Sequence, residues 1–312
     1  MTIAVIILTY NESIHLERAL ESVVPLANEV FVVDSFSTDD TVAIAEAHGA
    51  RTSQRVFDNQ ARQFNWALDT LDIRSDWILR LDADEVLEPD LVANILRELP
   101  CLPQDVTGIN LKRKHIFMGR FIRHGGRYPL ALLRIWRRGM GRIEQRWMDE
   151  HMFLTQGRAI TLEGGFADHN LNDLTFFTDK HNKYATREAL DVLNQRYALI
   201  GGKGAGSHNQ DSVNHANTSL QAAFKRRIKE QVYNRLPFWC GPLGYFLYRY
   251  FFQLGFLDGR AGLIYHLLQG FWYRFLVGAK VLELEAAIAH LDTNSARIAE
   301  LERLTGHKLT PQ

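Results

Sequence analysis

The stretch Trp77-Ile-Leu-Arg-Leu-Asp-Ala-Asp-Glu85 runs an apolar segment directly into two carboxylates, Asp82 and Asp84, that stand one residue apart. Side chains alternate faces along a strand, so both carboxylates can address one ion only if the strand breaks there and the backbone turns. Oxygen ligands with open positions suit Mg²⁺ or Mn²⁺ when the ion clamps a diphosphate. The alternative interpretation is an ordinary strand-to-loop exit with two solvated acids.

The first hundred residues alternate between strand-like and helix-like segments. Apolar, β-branched runs predict strands over 3–8, 29–33, 51–55 and 76–81, and the segments between them predict helices. This alternation predicts an α/β fold with a doubly wound sheet. Ligands of such sheets bind beyond the carboxyl ends of the strands. Those ends carry Tyr10 and Glu12, then Asp34, then Asp82 and Asp84.

Several classes of nucleotide-using protein are disfavoured by the loop after the first strand. It contains no Gly-x-Gly-x-x-Gly and no glycine-rich phosphate loop, which counts against a dinucleotide oxidoreductase or a P-loop NTPase. A nucleotidyltransferase should carry a glycine- and basic-rich loop there, and it is absent too. Polar and acidic strand ends instead suit a nucleotide held by its base and ribose, with its diphosphate on a metal ion.

The net charge of zero hides a strong asymmetry along the chain. Residues 112–147 carry a net charge of +10 and residues 220–280 carry +7, which leaves −17 for the remainder. This asymmetry indicates that the middle and C-terminal parts face an anionic partner, either a phosphorylated ligand or a membrane surface. Nucleic acid is disfavoured, because the aromatic residues lie in apolar runs and no nucleic-acid-binding motif is present.

Four motifs follow one another at characteristic spacings: Thr9-Tyr-Asn-Glu12, Val33-Asp-Ser-Phe-Ser-Thr-Asp-Asp-Thr41, Ala61-Arg-Gln-Phe-Asn-Trp-Ala-Leu68 and Leu81-Asp-Ala-Asp-Glu85. Together they resemble the family 2 glycosyltransferases of the GT-A fold. Further segments within 117–151 and at 256–262 resemble the bacterial branch that builds lipopolysaccharide core or exopolysaccharide. The resemblance implies a Rossmann-like, doubly wound mixed sheet and a divalent cation, Mg²⁺ or Mn²⁺, as cofactor.

The resemblance implies nucleotide-binding roles at the first two strand ends and on the third helix. Thr9, Tyr10 and Glu12 would contact the nucleotide, and Asp34 would accept a hydrogen bond from the base. Arg62 matches a basic residue near the diphosphate. The alternatives are a turn residue at Asp34 that bonds local amides and a solvent-facing arginine at Arg62.

The resemblance also implies the metal site. Asp84 would coordinate the ion directly, with Asp82 nearer the ribose or a metal-bound water. His169 would be a further ligand of the metal or the diphosphate, although a lone histidine is more often structural.

The catalytic base would come from the motif Met148-Asp-Glu-His151. Inverting transfer is an in-line displacement, so a carboxylate must take the proton from the acceptor hydroxyl. Glu150 stands where the lipopolysaccharide branch carries the Glu of a His-Glu pair. Asp149 replaces that histidine here, so the base remains open between Asp149 and Glu150, and a polar strand edge is the structural alternative.

Composition divides the chain into three predicted regions. We expect a GT-A domain over 1–199, with a nucleotide-binding half over 1–100 and an acceptor half over 101–199. The glycine-rich stretch within 200–220 predicts a flexible linker. Residues 221–312 predict a helical extension on the membrane interface, since its apolar runs contain charges that a spanning helix disfavours. The alternative is a helical pair packed on the catalytic core.

Taken together, the sequence predicts an inverting, metal-dependent glycosyltransferase. The donor would be a nucleotide-sugar, UDP-linked, and the acceptor lipid-linked or of the lipopolysaccharide or exopolysaccharide type. The N-terminus lacks a basic leader, so we expect a cytoplasmic protein, peripheral on the inner membrane surface. The stretch 282–304 suggests self-association through a C-terminal helix. Alternatives are a polyprenyl-phosphate sugar synthase and, more remotely, a membrane scaffold without catalysis.

Overall fold

The computed structural model of the protein describes residues 1–144, 151–200 and 237–309. The chain divides into two compact units. The first contains Met1–Asn172 and Gln253–Leu263, and the second contains Asp173–Phe252 and Ile264–Gln312. The proposed base residues Asp149 and Glu150, and most of the predicted linker, lie outside the described residues.

One mixed sheet organises the first unit. The strands of this unit are β1 Ile3–Thr9, β2 Glu29–Asp34, β3 Arg51–Gln54, β4 Trp77–Asp82, β5 Glu85–Leu87, β6 Val106–Phe117, β7 Arg120–Phe121, β8 Leu130–Arg137, β9 Gly141–Ile143, β10 Met152–Leu154 and β11 Arg158–Asp168. In the sheet they follow the order β3-β2-β1-β4-β8-β6-β11-β5, and β7 pairs with β6. Strands β1 to β4 run parallel, β8 is antiparallel to β4 and β6, and β11 is parallel to β6. A separate pair joins β9 and β10.

Helices cover both faces of this sheet: α1 Leu16–Val23, α2 Thr41–Ala47, α3 Gln60–Thr70 and α4 Pro89–Glu98. Alternate residues of β1 enter two different cores. Val5 packs in a cluster with Leu16 of α1 and Leu91 of α4, whereas Ile6 packs in a cluster with Phe64 of α3. Because β1 is buried on both faces, its continuous apolar run is the expected pattern. The predicted α/β fold with a doubly wound mixed sheet is confirmed.

The strand register gathers the candidate site residues at one edge of the sheet. Thr9 lies beside Asp34 in the β1–β2 ladder, and Leu8 lies beside Asp82 in the β1–β4 ladder. The carboxyl ends of β6 and β11 meet at the same edge, where His115 lies beside Asp168.

The second unit is helical in its described part. Its elements are α5 Leu174–Tyr197, α6 Cys240–Leu247, α7 Gly259–Tyr265 (which begins in the first unit), α8 Tyr273–Ile288 and α9 Asn294–Thr305. π-Helical turns at Tyr248–Phe252 and His266–Trp272 extend α6 and α7. A 3₁₀ turn at Gly255–Asp258 belongs to the first unit. No helix within 1–144, 151–200 or 237–309 is both long and apolar enough to cross a bilayer.

The observed units differ from the predicted boundaries at 199 and 221. Helix α5 belongs to the second unit, because its buried residues Ala189, Leu190 and Leu193 pack in one core with Leu284 of α8 and Leu301 of α9. Residues 253–263 belong to the first unit instead of the C-terminal extension.

The stretch 282–304 forms the end of α8 and most of α9 rather than one helix. Its apolar residues Leu284, Ile288 and Leu301 are buried within the second unit. Self-association through this stretch stays a prediction, with Leu282 and Leu304 as its exposed apolar residues.

Candidate active site

The Asp34 carboxylate, at the end of β2, is the buried centre of the predicted nucleotide-binding part of the site. It is fully buried and accepts hydrogen bonds from the hydroxyls of Thr9 and Ser37, the backbone N–H of Ser37 and Nε2 of Gln54. Burial raises its pKa, but these hydrogen bonds outweigh burial and hold the pKa of Asp34 below its ordinary value. A nucleotide base could reach Asp34 only if one of these donors gave up its bond.

The predicted nucleotide contacts Tyr10 and Glu12 lie just beyond β1. Tyr10 is 60% exposed and available to a ligand. The Glu12 carboxylate pairs with Nδ1 of His15 at 2.6 Å, and Nε2 of His15 accepts the backbone N–H of Leu171 at 2.9 Å. His15 is almost fully buried, and its two hydrogen bonds connect the end of β1 to the segment after β11.

Two arginines surround Asp82 at the end of β4. Arg80 lies 3.3 Å from Oδ1 of Asp82, and Arg134 of β8 lies 3.4 Å from its Oδ2. Arg134 also donates to Glu85, and the backbone N–H of Asp82 donates to Glu85 at 3.0 Å. Arg134 and Glu85 are buried, whereas Asp82 is one-third exposed toward the edge of the sheet.

This arrangement separates the protonation behaviour of the two carboxyl groups. Burial raises the pKa of Asp82, but the charges of Arg80 and Arg134 outweigh burial and hold that pKa well below its ordinary value. Burial raises the pKa of Glu85 well above its ordinary value; Arg134 opposes the rise, and the negative charges of Asp82 and Asp168 add to it. Asp82 is therefore the more acidic of the two groups.

Asp84 contacts the segment that follows β11. Its Oδ2 accepts a hydrogen bond from Nδ2 of Asn170 at 3.0 Å, and its backbone carbonyl accepts the N–H of His169 at 2.9 Å. Arg18 of α1 donates to the carbonyl of His169 at 3.0 Å and lies 3.4 Å from its Nδ1. The predicted residues Asp84 and His169 therefore do lie together.

The contact with Arg18 affects how His169 could bind a ligand. A guanidinium has only N–H donors, so Nδ1 of a neutral His169 accepts at this contact and Nε2 carries the proton. Burial, followed by the charge of Arg18, lowers the pKa of His169 and favours this neutral form. In this tautomer Nε2 can donate to a diphosphate oxygen, whereas binding a metal through Nε2 would require the other tautomer, so the metal role of His169 stays a prediction.

The donor set at this edge fits a hard divalent cation. Asp82 and Asp84 supply carboxylate oxygens, the ligands Mg²⁺ and Mn²⁺ prefer, and both side chains are partly exposed. Asp82, Asp84 and His169 do not form a ready three-ligand cluster. Within the described residues, three possible ligand atoms lie within 4.8 Å of one another only at Glu17, Glu21 and His48, all exposed. A cation at Asp82 and Asp84 would need further oxygen ligands from a substrate.

The remaining predicted residue, Arg62, lies in the first turn of α3. Its guanidinium is 42% exposed and pairs with Asp58 in the preceding loop. The structure does not bring Arg62 into contact with Asp34, Asp82 or Asp84 among the described hydrogen bonds.

Sequence reasoning missed four residues of this site: His15, Arg18, Arg80 and Arg134. Arg80 carried a signal, because a charged residue inside an apolar strand needs a partner and Asp82 lies two residues later. For Arg18 and Arg134 the partners lie far away in the chain, at His169 and Glu85, so no local pattern indicated them.

The sequence matches the description "Glycosyl transferase family 2" over residues 4–168. An uncharacterized glycosyltransferase of Rickettsia bellii is 45% identical over 89 residues, 28% of this chain and 30% of that protein. Another, of Rickettsia typhi, is 27% identical over 285 residues, 90% of this chain and 87% of that protein. A lipopolysaccharide core biosynthesis glycosyltransferase of Rhizobium meliloti is 27% identical over 61% of this chain and 71% of that protein.

The matched segment spans less than a third of the Rickettsia bellii protein. Among solved structures, a glucosyl-3-phosphoglycerate synthase from Mycobacterium tuberculosis aligns over 67% of this chain and 84% of that chain, with 18% identity and a TM-score of 0.39.

Proposed function

Because the chain belongs to glycosyl transferase family 2, we propose that it transfers a sugar, with inversion, from a nucleotide-sugar to an acceptor hydroxyl. The donor is a UDP-sugar and the acceptor is lipid-linked or of the lipopolysaccharide type. The lipopolysaccharide core biosynthesis enzyme among its relatives supports this acceptor class.

The observation that carries the proposal is the set of polar groups at one sheet edge. Register places Thr9 beside Asp34 and Leu8 beside Asp82, and Asp84 follows Asp82 by two residues. A donor whose nucleotide contacts the β1 and β2 ends would have its diphosphate near Asp82 and Asp84. Ligands of doubly wound sheets bind at this edge.

In the proposed mechanism these side chains bind and orient the donor. Asp82 and Asp84 would hold the divalent cation, which, when bound, neutralises charge developing on the leaving diphosphate. Arg80 and Arg134 keep Asp82 ionised for this purpose. Nε2–H of His169 would donate to a diphosphate oxygen, and Asp149 or Glu150 would take the acceptor's proton.

The attachment to a membrane surface is part of the proposal. Exposed aromatic residues of the second unit provide an apolar contact, including Phe238, Trp239, Tyr248, Phe251 and Phe252, which is 80% exposed. Basic residues of the chain would add attraction to anionic lipid. We place the protein at the inner face of the cytoplasmic membrane on this basis.

Hydrolysis of nucleotide-sugars tests the donor half of the proposal. A panel of UDP- and other nucleotide-sugars is incubated with the full chain and Mn²⁺ or Mg²⁺, and release of the nucleoside diphosphate is measured. We expect Asp84→Asn to abolish release while the fold is retained. Asp72→Asn, at an exposed loop residue that pairs with Arg74, is the matched control and should retain it. Near-normal release by Asp84→Asn would contradict the metal assignment.

Acceptor choice tests the other half. Polyprenyl phosphate and a lipid-linked saccharide are supplied separately, and the product is identified by mass spectrometry. Transfer to a saccharide hydroxyl supports the proposal, whereas transfer only to polyprenyl phosphate identifies a polyprenyl-phosphate sugar synthase. Loss of at least about a hundredfold in Asp149→Asn or Glu150→Gln would identify the base.

A further inference from the structure

Residues 118–129, here called the basic loop, lie at the same sheet edge as Asp82 and Asp84. The loop follows β6, contains the short strand β7 and leads into β8, and Leu130 of β8 pairs with Arg113 of β6. Strand β6 runs in the same direction as β4, because β8 is antiparallel to both. The basic loop therefore extends from the same edge of the sheet as Asp82 and Asp84.

Two arginines of the basic loop, Arg120 and Arg123, have no carboxylate partner within the described residues, in contrast to the basic residues of the neighbouring strand. On β6, Lys112 pairs with Glu163, Arg113 with Asp168 and Lys114 with Glu88; these three basic residues are neutralised. In the loop, Arg123 is exposed and makes no carboxylate contact within the described residues. Within the described residues, Arg120 donates only to the backbone carbonyl of Leu257.

A buried carboxylate from a distant segment orients the centre of the basic loop. Asp258 is 2% exposed and accepts two hydrogen bonds from His124, one from its backbone N–H at 2.9 Å and one from Nδ1 at 2.7 Å. Because Nδ1 donates to Asp258, Nε2 is the ring nitrogen left to meet a ligand. The His124 side chain is one-third exposed.

Other contacts fix the backbone of the basic loop around His124. Gly125 donates its N–H to the carbonyl of Gln253 at 2.8 Å, and Ile122, fully buried, donates to the carbonyl of His115 at 2.9 Å. A side chain at Gly262 would begin 2.5 Å from Cβ of Asp258, so the segment that carries the carboxylate is closely packed too. His124 and Arg123 are thus presented by a preorganised backbone.

We infer that the basic loop is an anion-binding subsite, in which Arg123 and His124 bind a phosphate group of the acceptor and Asp258 is the positioning residue. This inference rests on the proposed function, since it assigns the acceptor's chemistry. The N–H groups of arginine and histidine side chains donate to phosphate oxygens, and a fixed backbone lowers the entropy lost on binding. The phosphate could belong to a soluble acceptor or to a lipid headgroup.

Phosphate binding can be measured without any transfer reaction, which separates this inference from the proposed function. Inorganic phosphate is titrated into the ¹⁵N-labelled full chain, and the imidazole resonances are followed by NMR. In the parent chain we expect a saturable shift of the His124 signals. In the double variant Arg123→Gln/His124→Gln, where phosphate binding is measured by calorimetry, we expect at least a tenfold weaker apparent Kd. Arg97→Gln, at an exposed arginine on α4, is the control and should bind as the parent does.

Asp258→Asn tests the positioning role. Its amide keeps one acceptor oxygen for the two donors of His124 and removes the charge, so we expect a shifted or missing Nδ1–H signal of His124 together with weaker phosphate binding. A merely structural role would alter stability but leave that signal and the Kd in place, and this result would overturn the assignment of Asp258.

Vesicles identify the source of the phosphate. Phosphatidylcholine vesicles, with and without phosphatidic acid, are added to the chain in the presence of inorganic phosphate. The measurement is whether they displace the phosphate that causes the His124 shift. Competition by phosphatidic acid alone assigns the subsite to a lipid-borne phosphate, and saturation by inorganic phosphate alone assigns it to a soluble one. Absence of saturable binding by both probes, or equal binding by the double variant, overturns the inference.

Discussion

Arg134 is the residue on which the charges of the candidate site depend. It is buried between Asp82 and Glu85, and its guanidinium also lies 5.1 Å from the centre of the Phe166 ring. Arg80 and Arg134 both face Asp82 and hold its pKa down, whereas burial raises the pKa of Glu85 although Arg134 opposes the rise. The site's ionisation is thus set by a residue about 50 positions away in sequence.

Removing Arg134 should therefore destabilise the first unit strongly. We expect Arg134→Met to cost about 3–5 kcal/mol of unfolding free energy, because breaking a buried ion pair leaves an uncompensated charge. Urea denaturation measures the loss. Adding Glu85→Gln to Arg134→Met should recover part of it, while Arg138→Met, which removes a donor to the carbonyl of Ile73, should cost far less. A loss below about 1 kcal/mol would contradict the ion-pair account.

Asp34 gives a pH-dependent prediction. Its pKa in the folded chain lies below the ordinary aspartate value of 3.8, so its ionised form stabilises the fold above that pH. This contribution is lost as the pH falls through the lowered pKa. We expect Asp34→Asn to cost about 1.5–3 kcal/mol at pH 7, the range for hydrogen bonds to a charged group, and progressively less below about pH 4. A constant difference between pH 7 and pH 3 in urea melts would refute the linkage.

Among the elements, those predicted from sequence are the ones whose pattern is local. Strands β1 to β4 end within a residue of their predicted limits, and α1 to α3 lie in the segments predicted to be helical between them, because buried parallel strands leave continuous apolar signals. Strand β5 and the place of β8 between β4 and β6 were not predicted, since they depend on pairings between distant segments. The assignment of α5 to the second unit was likewise not predicted, because it depends on packing against α8 and α9.

The contact between α4 and β11 depends on a glycine. Gly164 has φ +90°, and a Cβ there would lie 2.9 Å from the backbone Cα of Leu91. Gly139 has φ +82° but no atom within 4 Å of its missing Cβ. We expect Gly139→Ala to cost about 1–2 kcal/mol from its backbone conformation alone, and Gly164→Ala to cost clearly more. Thermal or urea unfolding measures the loss of unfolding free energy in each variant. Equal losses would show that α4 moves away from a Cβ at position 164 at little energetic cost.

For the molecule as a whole, the family match and the first compact unit differ in extent. The match ends at residue 168, whereas the first unit also includes Gln253–Leu263. Asp258 in that segment bonds His124, 134 residues earlier in the chain. Sequence motifs identified the family, but this long-range contact could not be derived from any local pattern.

Membrane attachment is the prediction that belongs to the whole molecule. We expect the full chain to sediment with anionic vesicles and to be released by salt, because attraction between exposed charges is screened above about 0.1 M. Phe251→Ser/Phe252→Ser should reduce binding, since both rings are exposed. Leu304→Ser, at an exposed apolar residue of α9, is the control. Vesicle binding that is insensitive to both salt and the double variant would argue against the interfacial contact.

The division of the first unit into two chain segments also has a consequence for biosynthesis. Residues 1–172 leave the ribosome well before Gln253–Leu263. At about 5–20 residues per second, the 91 residues from position 172 to position 263 take roughly 5–18 s to synthesise. During that interval His124 has no Asp258 to bond, so a nascent chain would carry an incompletely organised basic loop for seconds. Stalling translation between these two points should yield a chain in which protease cleaves first within residues 118–129.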